Sequence, residues 1–317
     1  MTAHHRLLSP TILDAVVSAT SSHLGHGWNS TSFTDLNDRA SHPAGIVHGD
    51  SFSVFAKASF VDGGDEVFRA ELAGLELLRE RAGVTVPVPI GPGLVQFDDG
   101  WLLLYEAVNE HAPETRTADD WSAIGHALAA IHQVHAERFG LQDFNGYFGP
   151  LPQDNAPVPS NRWVDFYAER RVLPFLRAAV DSGQLPSALV PGVERVLDRL
   201  PQIGGPEPRP TLLHGDAQQH NFVSTDHGVV VIDVAPYFGH SELDLALIDW
   251  VHPVPDVVFD AYQEVLPIDQ GFPERRELWR IFGYLAGIAV SGGPAFGRFM
   301  LGRLTDAVRL YGSTAER

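Results

Sequence analysis

TLLHGDAQQHNFVSTDHGVVVIDVAPYFGHSELDLA, residues 211–246, decides how this chain is read. A short apolar run, Thr211 to Leu213, leads into a dense polar patch from His214 to Asn221. A second run, VVVID, has the composition of a buried strand and ends on Asp233. If these two runs pair as a hairpin, the loop and the end of the second strand lie together. Asp216, Asn221 and Asp233 then face one cavity. The oxygen donors of Asn221 and Asp233 suit a hard divalent ion such as Mg²⁺, which keeps water and phosphate oxygens as its other ligands. Asp216 is left as a carboxylate free to accept a proton. The alternative for Asp216 is a turn acid capping its own loop, and for Asp233 a plain strand-end acid.

His-Gly-Asp occurs a second time, at His48-Gly49-Asp50. There it stands between two strand-like runs, so HGDS reads as a hairpin turn with Gly49 supplying a positive φ.

The remaining composition narrows the chemistry. A chain of 317 residues, 44% of them hydrophobic, favours two packed lobes over one. No uncharged apolar run reaches the roughly 18 residues of a membrane span, and the amino-terminal stretch has no secretory pattern. Cysteine is absent, which removes disulfides, thiolate nucleophiles and Cys-zinc sites and fits a cytoplasmic protein. A net charge of -18 argues against nucleic acid or anionic lipid as partner. It would suit a cationic small molecule, or serve solubility alone. Of the 22 basic residues, every one but Lys57 is arginine. A lone lysine points to a site wanting a compact ammonium rather than a planar fork, with chance retention as the other reading.

Along the chain, residues 10–23 have helical spacing, and SFTDL, AGIVHG and SFSVFAKASF read as strands. DEVFRAELAGLELLRERA, 65–82, is an amphipathic helix with Phe68, Leu72, Leu75 and Leu78 at helical intervals and Gly83 to end it. Residues 86–108 read as strand, Asp-Asp-Gly turn, strand. Beyond about Asn109 the pattern is mostly helical. One helix is expected from a Thr117 cap to Gly140. Others fall near 161–181, 191–201, 242–250, 256–265, 273–290 and 296–311. SELD, 241–244, reads as a helix-capping pattern.

Phosphoryl transfer from a nucleotide needs an oriented hydroxyl, a base, a metal on the β- and γ-phosphates, a lysine on the phosphates and an acid to hold it. Lys57 lies in the third apolar strand and Glu71 in the next helix, fourteen residues on. The candidates therefore exist for every part. Glu71 as a solvated helix residue is the competing reading.

These segments resemble the protein-kinase-like small-molecule kinases, the aminoglycoside and choline kinases broadly and the fructosamine (ketosamine) kinases most closely. HGDAQQHN matches their His-Gly-Asp-x-x-x-x-Asn catalytic loop. VVIDVAPYFGHSELDLA, GYFGPLPQDN and NRWVDFYAERRVLPFL are similar to fructosamine-kinase segments. The resemblance covers most of residues 50–311. It implies Asp216 as catalytic base, Asn221 and Asp233 as Mg²⁺ ligands, Lys57 on the ATP phosphates and Glu71 holding Lys57. LLLYEAV would be the hinge, with adenine bonded to backbone within Tyr105, Glu106, Ala107 and Val108. NDRASHPAG would take the place of the phosphate-covering loop, with Ser41 and His42 as phosphate contacts. The chain departs from the family at Ala217-Gln218 and His220, where many members carry Leu-Trp and a glycine. These positions flank the acceptor.

The expectation is thus an α+β, bilobal, protein-kinase-like fold, with an N-lobe over 1–106 and a C-lobe over 107–317. The expected activity is transfer of the ATP γ-phosphoryl group to a hydroxyl of a sugar-like acceptor, a ketosamine first. An antibiotic O-phosphotransferase, a nucleotide-binding pseudokinase and a metallophosphoesterase are the rivals. The last lacks its Gly-Asn-His-type ligand motif. His214 and Asp244 read as structural residues of the loop, and Trp121, Trp163 and Trp279 as core.

Overall fold

The structure, a computed structural model, describes residues 5–37, 42–290 and 294–313. Its amino-terminal part contains α1 (Pro10–Leu24), β1 (Ser32–Asp35), β2 (Ala44–His48), β3 (Ser53–Ser59), α2 (Gly64–Ala82), β4 (Pro89–Phe97) and β5 (Gly100–Glu106). The strands form one antiparallel sheet in the order β1-β2-β3-β5-β4. Strand side chains alternate between faces, and here the alternation sorts structure from chemistry. Val54, Ala56 and Ala58 of β3, with Leu102 and Leu104 of β5, pack against Ile12 and Val16 of α1. The opposite face carries Lys57, paired in register with Leu103, and Tyr105, paired with Phe55. Leu103 and Tyr105 join Phe68, Leu75 and Leu78 of α2 in the larger core.

The sequence of α2 explains its limits. Asp65 and Glu66 lie in its first turn and Arg79 and Arg81 in its last, each complementing the helix dipole. Gly83 closes it at φ 68°, the left-handed conformation that glycine adopts without steric cost.

The rest of the chain is mainly helical: α3 (Ala118–His132), α4 (Trp163–Tyr167), α5 (Leu173–Asp181), α6 (Val190–Ile203), α7 (Ser241–Leu247), α8 (Val257–Gln263), α9 (Phe272–Trp279), α10 (Ile281–Val290) and α11 (Pro294–Gly312). One π-helical turn, Ala168–Val172, joins α4 to α5. Short two-stranded pieces interrupt the helices: β6 (Gly146–Phe148) with β7 (Leu151–Gln153), β9 (Phe222–Thr225) with β10 (Gly228–Val231), and β8 (Thr211–Leu212) with β11 (Phe238–Gly239). Among the described residues no helix is long and apolar enough to cross a membrane.

Five expectations change. The runs 211–213 and 229–233 do not pair with each other: β8 pairs with β11, and β10 pairs with β9. Two short ladders, not one hairpin, therefore bracket the polar loop. Gly49 does turn the β2–β3 connection, its N–H donating to Phe52 O at 3.0 Å. It is absent from the positive-φ glycines, however, and is needed because a Cβ would run into the Trp28 indole. α3 starts at a Thr117–Asp120 capping box as expected but stops at His132, before Gly140. Gly140, at φ 92°, instead forms a bridge to Phe238. α7 is capped by the His240 ring, which accepts from Glu242 N at 3.2 Å, and not by a side chain of SELD. The expected helix 273–290 is two helices, broken at Arg280.

Candidate active site

Lys57 is 4% exposed, and its ammonium donates to Glu71 Oε2 at 2.9 Å and to Asp233 Oδ1 at 2.6 Å. One side chain thus ties β3, α2 and the segment after β10 together. Burial alone would lower the lysine pKa, but Asp233 and Glu71 outweigh it and hold the ammonium charged. Burial works to raise the Asp233 pKa, and Lys57 reverses this, keeping the carboxyl below its ordinary value. For Glu71 burial wins and the pKa is raised despite Lys57. Asp233 sits at φ 49°, a left-handed conformation rare for a residue with a side chain. Such a backbone costs on the order of 1–3 kcal/mol and persists only where its surroundings hold it.

The polar loop is fixed from beneath. Asp244, fully buried in α7, accepts from His214 N at 2.6 Å and from Gly215 N at 3.1 Å. His132 Nε2 lies 3.1 Å from the same carboxylate, and His132 Nδ1 lies 2.9 Å from Tyr262 Oη. The bracing role read for Asp244 is therefore present. Gly215, at φ 85°, allows the loop to pass under the Ala235 carbonyl, which a Cβ would strike. His214 is buried against Phe222, and its Nδ1 accepts from Asp216 N at 3.2 Å. Burial pushes His214 down to about 4, so it is a neutral structural residue.

Asp216 is partly buried, and burial lifts its pKa to about 7, against the lowering bonds from Gln218 and Asn221 and with Asp233 and Asp244 adding to the rise. Asn221 spends its amide N–H₂ on Asp216 O at 2.8 Å. Its neighbour is in place too, since Ile232 N donates to Asn221 O at 3.0 Å and sets the residue before Asp233 against Asn221.

At the end of β5, Tyr105 is buried beside Glu71, and burial followed by Glu71 raises its phenol pKa. Glu106 N donates to Val88 O at 2.8 Å, and Ala107 N to Ser53 O at 2.9 Å. The Glu106 carboxylate turns outward to His23 Nε2, 3.5 Å away in α1. The His42 ring lies tilted against Phe68, centroids 5.4 Å apart, and burial, then Lys57, lowers its pKa while Asp233 raises it. It therefore sits within electrostatic reach of the Lys57–Asp233 pair. Ser41 lies outside the described residues.

Three supports had no legible signal. Arg116 donates to Gln219 O at 3.3 Å and Phe222 O at 2.6 Å, pinning the backbone at the end of the polar loop. Half-buried Trp121, expected as plain core, lies 4.9 Å under that guanidinium, whereas Trp163 and Trp279 are buried core. Gln219 Nε2 donates to His252 O at 3.1 Å and Pro253 O at 3.3 Å. His132 carries the brace from α3.

Among the described residues no group of three or more His, Cys, Asp and Glu forms a metal cage. A site limited to an amide oxygen and a carboxylate suits an ion that brings phosphate and water ligands with it. With Asn221 Nδ2 engaged by the backbone, Asn221 Oδ1 is the atom left to donate to a cation, so the donor set fits Mg²⁺.

The sequence matches the family model described as fructosamine kinase over residues 12–297. The chain belongs to the fructosamine kinase family. It is accordingly an ATP-dependent phosphotransferase with an alcohol acceptor, and its α+β fold is the bilobal, kinase-like one. A Klebsiella aerogenes protein named as a probable ketoamine kinase is 33% identical over 229 residues, covering 72% of this chain and 76% of that one. The crystal structure of a candidate fructosamine-3-kinase from Thermobifida fusca superposes with a TM-score of 0.74 at 34% identity, covering 93% of this chain and 99% of the other. Spectinomycin phosphotransferase, solved with ADP and spectinomycin, shares the fold alone. It has a TM-score of 0.53 and 15% identity, over 98% of this chain and 96% of that one.

Proposed function

We propose that this fructosamine kinase transfers the ATP γ-phosphoryl group to a hydroxyl of a ketosamine, with Asp216 as base. The observation that carries the reading is the engagement of the lone lysine by both Glu71 and Asp233, 2.9 and 2.6 Å away. The likeness to a probable ketoamine kinase supports the acceptor class. In the step, the acceptor oxygen attacks the γ-phosphorus and a new P–O bond forms. The bond to the β-γ bridging oxygen breaks, ADP leaves with its electron pair, and the hydroxyl proton passes to Asp216.

Lys57 contacts the phosphates and Glu71 fixes its direction. His42, in electrostatic reach of Lys57 and Asp233, is the phosphate contact we assign on that side. Asn221 and Asp233 hold Mg²⁺, which when bound offsets the charge on the β- and γ-phosphates. Adenine lies along Tyr105–Val108. Since the Glu106 and Ala107 N–H groups already serve the sheet, the Val108 N–H is the donor we assign to the base. The lobes divide at 1–106 and 107–317. The acceptor is cationic, as the net charge of -18 favours. A cytoplasmic location suits a chain without cysteine.

The test is Asp216→Asn. A lost general base lowers kcat by roughly 10²–10⁴, with ATP affinity unchanged. Equal loss of ATP binding and turnover would make Asp216 a structural residue or metal ligand instead.

A further inference from the structure

Gln218 is one of the positions at which this chain departs from its family, and its side chain does not point away from the chemistry. Gln218 Nε2 donates to Asp216 Oδ1 at 2.8 Å. When Asp216 is ionised, as a base must be, only the nitrogen end of the amide can donate to it. The backbone beneath is held independently. Gln218 N donates to Asp216 O at 2.8 Å, and Gln218 itself is extended (φ -63°, ψ 145°). The next turn, Gln219–Asn221, is pinned by Arg116 on one side and by the Gln219 amide on the His252 and Pro253 carbonyls on the other. Ala217 before it is fully buried. Gln218 therefore reaches the carboxylate from a frame that does not depend on that bond.

A general base must present one oxygen to the hydroxyl it deprotonates, within hydrogen-bond reach and correctly aimed. A carboxylate held by nothing rotates about its terminal torsion, which is broad. We propose that Gln218 is a positioning residue of phosphoryl transfer: by holding Asp216 Oδ1, beside the weaker influence of Asn221, it sets the carboxylate plane and directs Oδ2 to the acceptor hydroxyl. The inference rests on Asp216 being the base. It assigns to this chain a polar contact built from a side chain outside the shared loop pattern.

The experiment compares Gln218→Met, which keeps length and loses the donor, with Gln218→Glu, which keeps shape and opposes a like charge to Asp216. The probes are fructosyl-glycine as acceptor and, separately, the slow hydrolysis of ATP with water in the acceptor's place. Both variants should lower kcat about 10- to 100-fold, the span of one charge-assisted hydrogen bond. The KM for ATP and the melting temperature should stay at their wild-type values. In an Asp216→Asn background, Gln218→Met should cost nothing more, because the pair acts as a unit.

Wild-type kcat in Gln218→Met, or a loss that simply multiplies with that of Asp216→Asn, overturns the proposal. A lowered melting temperature with a proportionate loss of ATP binding overturns it in favour of a structural role. Full activity in Asp216→Asn would instead defeat the assignment of the base. Failure to phosphorylate fructosyl-glycine would defeat the ketosamine reading alone, since hydrolysis still reads the Gln218 contact.

Discussion

Lys57 Nζ sits 2.6 Å from Asp233 Oδ1, although 176 residues separate the two in the chain. The contact joins the inner face of the sheet to the strained segment after β10. With Glu71 it makes a slot lined by two carboxylates around a side chain that is only 4% exposed.

Lys57→Arg should not preserve activity. A guanidinium is larger and planar, and cannot meet both carboxylates from the lysine's position. The expected loss in kcat/KM is about 100-fold or more, the scale of a removed electrostatic stabiliser. Steady-state kinetics with ATP varied would check this, and a fully active arginine variant would make the lone lysine incidental.

Asp244→Ala should destabilise the fold by on the order of 3 kcal/mol. It leaves the His214 and Gly215 N–H groups buried without an acceptor. Urea unfolding would measure the shift in midpoint. Asp216→Asn, which removes a carboxylate that burial already disfavours, should not lower the midpoint. A large destabilisation by Asp216→Asn would show that this residue serves the fold.

Acid should weaken the protein partly through His240. Burial pushes its pKa down to about 4, from an ordinary 6.5. Between those values the unfolded chain binds the proton and the folded one does not, so stability falls as pH drops from about 6.5 to about 4. Asn also caps helices well. His240→Asn should therefore keep the α7 cap while flattening the pH dependence by about one proton. Melting temperatures across that window, compared between the two proteins, would read this directly, and an unchanged slope would count against it.

A cationic acceptor should be sensitive to salt. The Debye length falls from about 10 Å at 0.1 M to about 3 Å at 1 M, so kcat/KM should drop with added salt, more steeply for a polycation than for a monocation. The KM for ATP should respond differently because Lys57, the partner proposed for its phosphates, is buried. Efficient phosphorylation of an uncharged acceptor, with no response to salt, would remove charge from the account of recognition.

The sequence made the candidate site legible because most of it is local. His214 to Asn221 is one uninterrupted loop, and Asp233 ends the next apolar run. Glu71 was readable because helical spacing in α2 is regular, and Lys57 because no other lysine competes for attention. What stayed hidden depends on tertiary pairing. Residues 211–212 and 229–231 each found another strand, since side-chain alternation says which face is buried but not which partner lies alongside. α3 ended early because the chain after His132 is spent on bridges from His135 and Gly140 to Thr211 and Phe238. Arg116 carried no signal, because its guanidinium meets backbone carbonyls more than a hundred residues away.

The sorting of β3 and β5 into two faces bears on how the protein comes apart. Leu102 and Leu104 share a cluster with α1 and the outer sheet, whereas Leu103 and Tyr105 of the same strand belong with α2 and the helical body. β5 is thus shared between two apolar clusters, and local opening should follow whichever is weaker. The outer cluster is much the smaller of the two, so mild heat should loosen α1 and the sheet while the helices stay folded. Nucleotide affinity would then be lost at a lower temperature than helical circular dichroism, and thermal inactivation would be reversible within that interval.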